Sequence, residues 1–229
     1  MARGTQLLAL VDRLKDETGR SSAVSVGVDE LPSLKNLLRR TQNWLYEDYD
    51  WPFLRVNRST NLQAGERYYD FPTDLNVERV EETVCLYNTT RYPVLRGIEF
   101  DDYNTYDSDL DERSDPILKW DVRSINNVEQ AEVWPIPASN ATKLLWRGIR
   151  ALRPLIADAD VCDLDDDLIV LFAASEILQR QKSSDAKAKL DFAQQHYTRL
   201  KGRHKGTSPT ITLGGGTQKK FVGTIIRVS

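Results

Sequence analysis

Two histidines are the first candidates for acid–base chemistry, because an imidazole titrates close to neutral pH. His196 and His204 both fall in or just beyond a basic segment near the C-terminus. Neither has a cysteine, serine or carboxylate partner in a recognisable catalytic motif. We therefore expect both to be surface residues.

A metal or phosphate site is the next possibility. The acidic run 158–163 resembles a calcium loop, but Cys162 replaces an oxygen ligand, the turn glycine is missing and the twelfth position is Ile169. Gly214–Gly216 lacks the spacing of a phosphate-binding loop. We expect no metal site and no cofactor.

Paired carboxylates could cleave peptidoglycan, as in glycoside hydrolases. Glu30, Glu47 and Glu66 could each serve, and their spacing favours none of them. We therefore predict that the protein is not an enzyme. A muramidase-like activity remains the first alternative.

The charges are unevenly distributed although the net charge is only −3. Eight of the nine charged residues between Glu99 and Asp115 are carboxylates, whereas eleven basic residues and two acidic ones follow from Arg180 onward. Each block is typical of a solvated face, and together they favour complementary contacts between copies or with a partner. A small DNA-packaging accessory protein is the second alternative, and it would use the basic cluster Arg199, Lys201, Arg203 and Lys205.

The cysteines and the apolar runs indicate where the protein resides. Cys85 and Cys162 are far apart in the sequence, which favours two buried thiols in a reducing cytoplasm. The N-terminus does not resemble a signal peptide, and the longest apolar run, 168–174, is too short to span a bilayer. We expect a protein that is made in the cytoplasm and does not enter a membrane.

Four helices are predicted from apolar residues at helical spacing. The first contains Leu7 to Leu14, and the second has Asp29 as its cap and ends before Pro52. The third begins at the acidic run 163–167, where carboxylates complement the helix dipole. The fourth contains Leu190 to Leu200. Two helical hairpins therefore flank the middle of the chain.

Seven short strands are predicted between the two hairpins, from β-prone residues and intervening turn signals. They cover residues 55–62, 67–71, 79–87, 92–95, 117–122, 129–134 and 143–149. Such spacing is typical of an antiparallel sandwich or small barrel, and the sequence does not choose between these.

The predicted fold class is thus α+β, a four-helix core from two helical hairpins with an inserted antiparallel β-rich domain and an extended C-terminal tail. The predicted divisions are a helical hairpin at 1–50, a β-rich insertion at 51–150, a second hairpin at 151–205 and a flexible tail at 206–229.

The tail joins a glycine hinge to an apolar, β-prone strip. Such a strip could pair within its own β domain or add a strand to another protein's sheet, and we favour the second reading. The candidate binding residues are Lys219, Lys220, Phe221, Val222, Ile225 and Ile226.

Several short motifs resemble those of the head-to-tail adaptor proteins of short-tailed bacteriophages, which are also called tail accessory or head completion proteins. They are Trp51-Pro52-Phe53-Leu54, the stretch 64–72, Glu78-Arg79-Val80, Trp134-Pro135-Ile136-Pro137 and the face with Lys187, Lys189, Gln194 and Gln195. The resemblance covers most of residues 1–205 and rests on packing and turn residues.

This resemblance implies a virion protein at the head–tail junction, assembled in the bacterial host cytoplasm. Such adaptors form a dodecameric ring beneath the portal protein and carry the tail nozzle or tail needle protein. Double-stranded DNA passes through the lumen without sequence-specific binding during genome ejection. The resemblance further implies that the C-terminal tail reaches the portal. Some members have been credited with cell-wall hydrolase activity, but no catalytic motif can be carried over to this sequence.

Overall fold

The computed structural model describes residues 3–20, 30–106, 110–125 and 127–204. The helices are α1 (Leu7–Glu17), α2 (Leu31–Asp48), α3 (Phe100–Thr105), α4 (Asp166–Arg180) and α5 (Ala186–His204), with a 3-10 turn at Pro52–Leu54. The strands are β1 (Arg55–Asn61), β2 (Tyr68–Asp70), β3 (Leu75–Tyr87), β4 (Thr90–Arg96), β5 (Lys119–Ile125), β6 (Val128–Trp134) and β7 (Thr142–Arg150). All four predicted helices and all seven predicted strands are present. The short helix α3 was not predicted.

The helices pack through the apolar positions that the sequence periodicity indicates. In α1, the side chains of Leu7, Leu10 and Leu14 are completely buried. Helix α2 begins after Glu30 and carries a proline in its first turn, where no backbone N–H is required. The predicted cap Asp29 lies outside the described residues. Helix α4 contacts α1, α2 and α5, and one apolar core includes residues from all four helices.

The seven strands form one sheet in the order β1-β7-β3-β4-β5-β6-β2. The predicted all-antiparallel arrangement is wrong at one position, because β4 and β5 pair in parallel through Leu95 with Lys119 and Arg96 with Trp120. Parallel neighbours need a long crossover connection. Residues 97–118, which include α3, provide one.

One face of the sheet closes over its own apolar core. Strands β5 and β7 are separated by two other strands, so a flat sheet would place them about 14 Å apart. Yet the rings of Trp120 and Trp146 have centroids only 4.9 Å apart, and Phe71 lies against both. The sheet is therefore strongly curled, with β1 and β2 as its two edges. The predicted β-rich part is thus a single curled sheet of seven strands.

Candidate functional site

A cluster of four aspartates, Asp163, Asp165, Asp166 and Asp167, joins the helical part to the sheet; we call it the aspartate junction. Asp163 is buried and accepts hydrogen bonds from the side chains of Arg150, at the end of β7, and Arg153. Its backbone N–H donates to Gln42 of α2, at 3.2 Å. Asp163 therefore connects strand β7 to helix α2, through its carboxylate on one side and its backbone N–H on the other.

Asp165 caps helix α4 and contacts α5. Its Oδ1 atom accepts a hydrogen bond from the backbone N–H of Leu168 at 3.1 Å and lies 2.8 Å from Nε2 of His196. His196, which was predicted to be a surface residue, is half-buried with its side chain 28% exposed, because folding brings α5 against the start of α4. The side chain of His204 lies outside the described atoms.

Asp165, Asp167 and His196 form a group that sequence reasoning missed. One potential ligand atom from each lies within 4.8 Å of the others, and Oδ2 of Asp165 is buried with no hydrogen-bond partner among the described residues. However, Arg13 forms an ion pair with Asp167, and the group lies at the positive end of the α4 dipole. Both features oppose a metal cation, so the arrangement supports helix packing better than metal binding.

Asp166 holds the buried thiol of Cys162. The Sγ atom donates a hydrogen bond to Oδ1 of Asp166 at 2.7 Å, and Thr5 donates to the other carboxylate oxygen. Burial and the neighbouring carboxylate raise the pKa of Cys162 to about 12. The predicted pair of buried free thiols, Cys85 and Cys162, is confirmed.

We expect Cys162 to be inert towards a thiol reagent in the folded protein, because the thiolate is the reactive species. Ellman's reagent should label neither native cysteine until guanidinium is added, whereas an exposed Ala188→Cys control should react at once. The Cys162 thiol also stabilises the folded protein, because its pKa is higher there than in the unfolded chain, where it is about 8.5. This contribution is fully present below about pH 8.5 and is lost as the pH rises towards 12. Rapid labelling of the native protein would contradict this account.

A second buried carboxylate, Glu132 in β6, fixes helix α3, at the start of the acidic block 99–115, to the sheet. Glu132 is 1% exposed and accepts hydrogen bonds from Nε of Arg67 at 2.7 Å, Nε of Arg123 at 2.6 Å and the hydroxyl of Tyr103 at 3.0 Å. The hydrogen bond from Arg123 to this carboxylate raises the pKa of the guanidinium. We call Glu132, Arg67 and Arg123 the arginine clamp. Because Tyr103 of α3 donates to the same carboxylate, the clamp holds α3 against the sheet.

The two charge blocks are partly neutralised within the chain. In the acidic block, Asp102 pairs with Lys119, and Asp111 pairs with Arg113. In the basic block, Arg180 pairs with Glu176, Lys189 with Glu17 and Lys201 with Asp48. The blocks are therefore less available to partners than the sequence suggests.

Helix α5, the last element that the structure describes, is anchored along its length. Lys189 contacts α1, His196 contacts the aspartate junction, and Tyr197 and Lys201 both contact Asp48 at the end of α2. The hydrogen bond from Tyr197 and then that from Lys201 lower the pKa of Asp48. These contacts fix α5 against α1, the end of α2 and the start of α4.

We expect Asp48→Asn to lower the free energy of unfolding by less than about 1 kcal/mol, since the contact lies at the surface. A depressed carboxyl pKa contributes stability above its unfolded value and loses it as the pH falls through the folded value. The difference in thermal unfolding between wild type and variant should thus be smaller at about pH 3 than at pH 7. An equal difference at both pH values would exclude this ion pair as the cause.

The structure does not assemble the predicted glycosidase candidates into one site. Glu30 pairs with Arg20, Glu47 lies 3.4 Å from a guanidinium nitrogen of Arg79, and Glu66 lies in the turn before β2. The predicted tail residues, Lys219 to Ile226, lie outside the described residues. None of the described helices combines the length and apolar character needed to cross a membrane.

Comparison with models of known protein families gives a match over nearly the whole chain. A family model described as SU10 adaptor protein matches residues 5–213, which include the helical part, the whole sheet and the aspartate junction. No curated protein matches the chain.

Proposed function

We propose, from the premise that this chain belongs to the SU10 adaptor protein family, that it is a structural head-to-tail adaptor of a phage virion. The observation that carries the proposal is the extent of the family match, since it includes both the helical core and the curled sheet. The function then resides in surfaces and in rigid connections between elements. The aspartate junction and the arginine clamp supply such connections.

The adaptor forms a dodecameric ring beneath the portal, extends the DNA channel and supports the tail nozzle or needle protein. The four-helix core of α1, α2, α4 and α5 packs into this ring, and the β-rich part decorates it. In this arrangement, residues 1–50 and 151–205 are the two helical hairpins, residues 51–150 are the β-rich part and residues 206–229 are the tail. The chain is a virion component, assembled in the host cytoplasm, and acts without catalysis or a cofactor.

The C-terminal tail joins the adaptor to the portal. Lys219, Lys220, Phe221, Val222, Ile225 and Ile226 follow the glycine hinge and provide main-chain hydrogen bonds and apolar side chains to an acceptor sheet. The anchoring of α5 supports this role, since it sets the point from which the tail starts. Ordering the tail costs roughly 2–5 kcal/mol, which simultaneous binding by several copies offsets.

Light scattering with and without the portal protein of the same phage tests this function. We expect a monomer or weak oligomer alone and a large complex of defined mass after mixing. A peptidoglycan zymogram tests the muramidase alternative, and a salt-dependent shift of duplex DNA tests the packaging alternative. Activity in either assay without portal binding would contradict the proposal.

A further inference from the structure

A groove with an aromatic floor crosses helices α2, α4 and α5. Its volume is about 510 Å³. Trp44 of α2 and Phe172 of α4 form its floor, with ring centroids 5.3 Å apart, and Leu190 of α5 continues the apolar surface. Trp44 is 49% exposed, which is unusual for the largest apolar side chain. We call this surface the aromatic groove.

A second apolar surface lies at the corner where α1 begins. Leu8 is 44% exposed and Ile156 is 67% exposed. The backbone N–H of Leu8 donates to the carbonyl of Asp158 at 3.2 Å, which places the start of α1 beside the loop that carries Ile156. We call Leu8 and Ile156 the apolar knob.

The knob and the groove lie on opposite flanks of α2. On one flank, Lys35 pairs with Asp158 and Arg39 donates to the carbonyl of Ile156, so this flank faces the knob. On the other, Arg40 pairs with Glu176 of α4 and Trp44 lines the groove. Around the axis of α2, Arg40 and Trp44 lie about 140° from Lys35 and Arg39. A surface on each flank is the arrangement that a head-to-tail ring interface requires.

The charges beside the two surfaces are complementary. Asp12 and Asp16 are exposed and follow Leu8 at intervals of four residues, so they form an acidic stripe beside the knob. Beside the groove, Arg40 and Arg180 are both more than half exposed and share the single carboxylate of Glu176, which leaves a net positive charge. The exposed Lys187 lies one helical turn before Leu190. Opposite charges at these rims would set the register of a contact between copies.

We propose that the apolar knob of one copy docks in the aromatic groove of the next copy, with the α1 acidic stripe against the basic rim. This inference rests on the proposed ring-forming function and assigns the two faces of its subunit contact. The groove is a surface for a second copy of this chain, and each copy supplies one knob and one groove.

Cross-linking with a short bis-maleimide tests the contact directly. Both native cysteines are buried, so introduced cysteines at exposed positions should react selectively. In portal-bound protein, the double variant Ala157→Cys/Gln179→Cys places one thiol beside the knob and one at the groove rim. It should give a ladder of covalent oligomers. The matched control Val128→Cys/Gln179→Cys, whose first position is exposed at the start of β6, should give none. The absence of a ladder in the first variant, or equal ladders in both, would overturn the assignment.

Complementation between defective variants tests the direction of the contact. Trp44→Asp removes the groove, and Leu8→Asp/Ile156→Asp removes the knob. All three positions are substantially exposed, so circular dichroism and thermal unfolding should match wild type. Each variant alone should lower ring formation on the portal by at least about tenfold. Their mixture retains one intact contact for each pair of copies. When both variants also carry Ala157→Cys/Gln179→Cys, bis-maleimide cross-linking on the portal should therefore stop at a dimer and give no closed ring.

The outcomes separate this inference from the proposed function. If wild type forms rings on the portal and folded variants do so equally well, the proposed contact is wrong and the adaptor function stands. If wild type does not join the portal at all, the adaptor function itself fails.

Discussion

Deletion of Lys219–Ser229 abolishes binding to the portal while the helices and the sheet remain folded. This is the expected result because the deleted segment carries both the lysines and the apolar strip after the glycine hinge. Without it, each copy loses its strand-pairing segment, and the ring loses the combined effect of many such contacts. Co-sedimentation with the portal measures binding, and far-ultraviolet circular dichroism measures folding.

Two full-length variants sharpen this deletion experiment. Phe221→Ser/Ile225→Ser changes apolar residues after the hinge and should weaken co-sedimentation at least tenfold, the equivalent of about 1.4 kcal/mol. Ile211→Ser/Leu213→Ser changes apolar residues before Gly214–Gly216 and should bind as wild type does. If the truncated protein still saturates the portal, the tail has no role in joining it.

Replacement of Glu132 by alanine has the largest expected effect on stability. It leaves Arg67 and Arg123 without the carboxylate that both contact, in a site where Glu132 is 1% exposed. Removing one partner of a fully buried ion pair costs about 3–5 kcal/mol. Arg67 and Arg123 are 25% and 43% exposed, so water partly solvates the charges that remain, and we expect a loss of about 2–3 kcal/mol. Guanidinium unfolding followed by tryptophan fluorescence measures this loss of free energy.

Two control variants test whether the arginine clamp causes that loss. Glu132→Gln keeps the shape and removes the charge, so it should be intermediate. Glu129→Ala, at an exposed position of the same strand, should change the free energy of unfolding by less than about 0.5 kcal/mol. A loss below about 1 kcal/mol for Glu132→Ala would show that the clamp does not hold α3 and β6 together.

The elements that depend on local periodicity were predicted from the sequence. Leu7 to Leu14, the position of Pro52 and the acidic start of α4 each act within one element, and the structure confirms α1, α2 and α4. Turn residues and β-prone runs indicated all seven strands in the same way. Helix α2 begins at Leu31, and its predicted cap Asp29 lies outside the described residues.

The features that depend on residues distant in the sequence were not predicted. The parallel β4–β5 pair results from the crossover through residues 97–118, and the curl of the sheet brings Trp120 against Trp146. The contact between Asp165 and His196 joins residues from different helices. Periodicity within an element carries no information on which elements become neighbours.

The charge blocks show the same limit for the candidate site. Composition alone suggested two faces open to partners, but Asp102, Lys189 and Lys201 are paired within the chain. The exposure of the apolar side chains of Trp44 and Ile156 could not be predicted either, because exposure depends on packing between elements.

Electron cryomicroscopy of the portal mixed with the full-length chain tests the central claim most directly. The account predicts a ring of copies on one face of the portal, with α1, α2, α4 and α5 at the subunit contacts and a segment of each copy extending from the end of α5 onto the portal. A portal that carries no additional ring after mixing, with the chain remaining separate and folded, would contradict it.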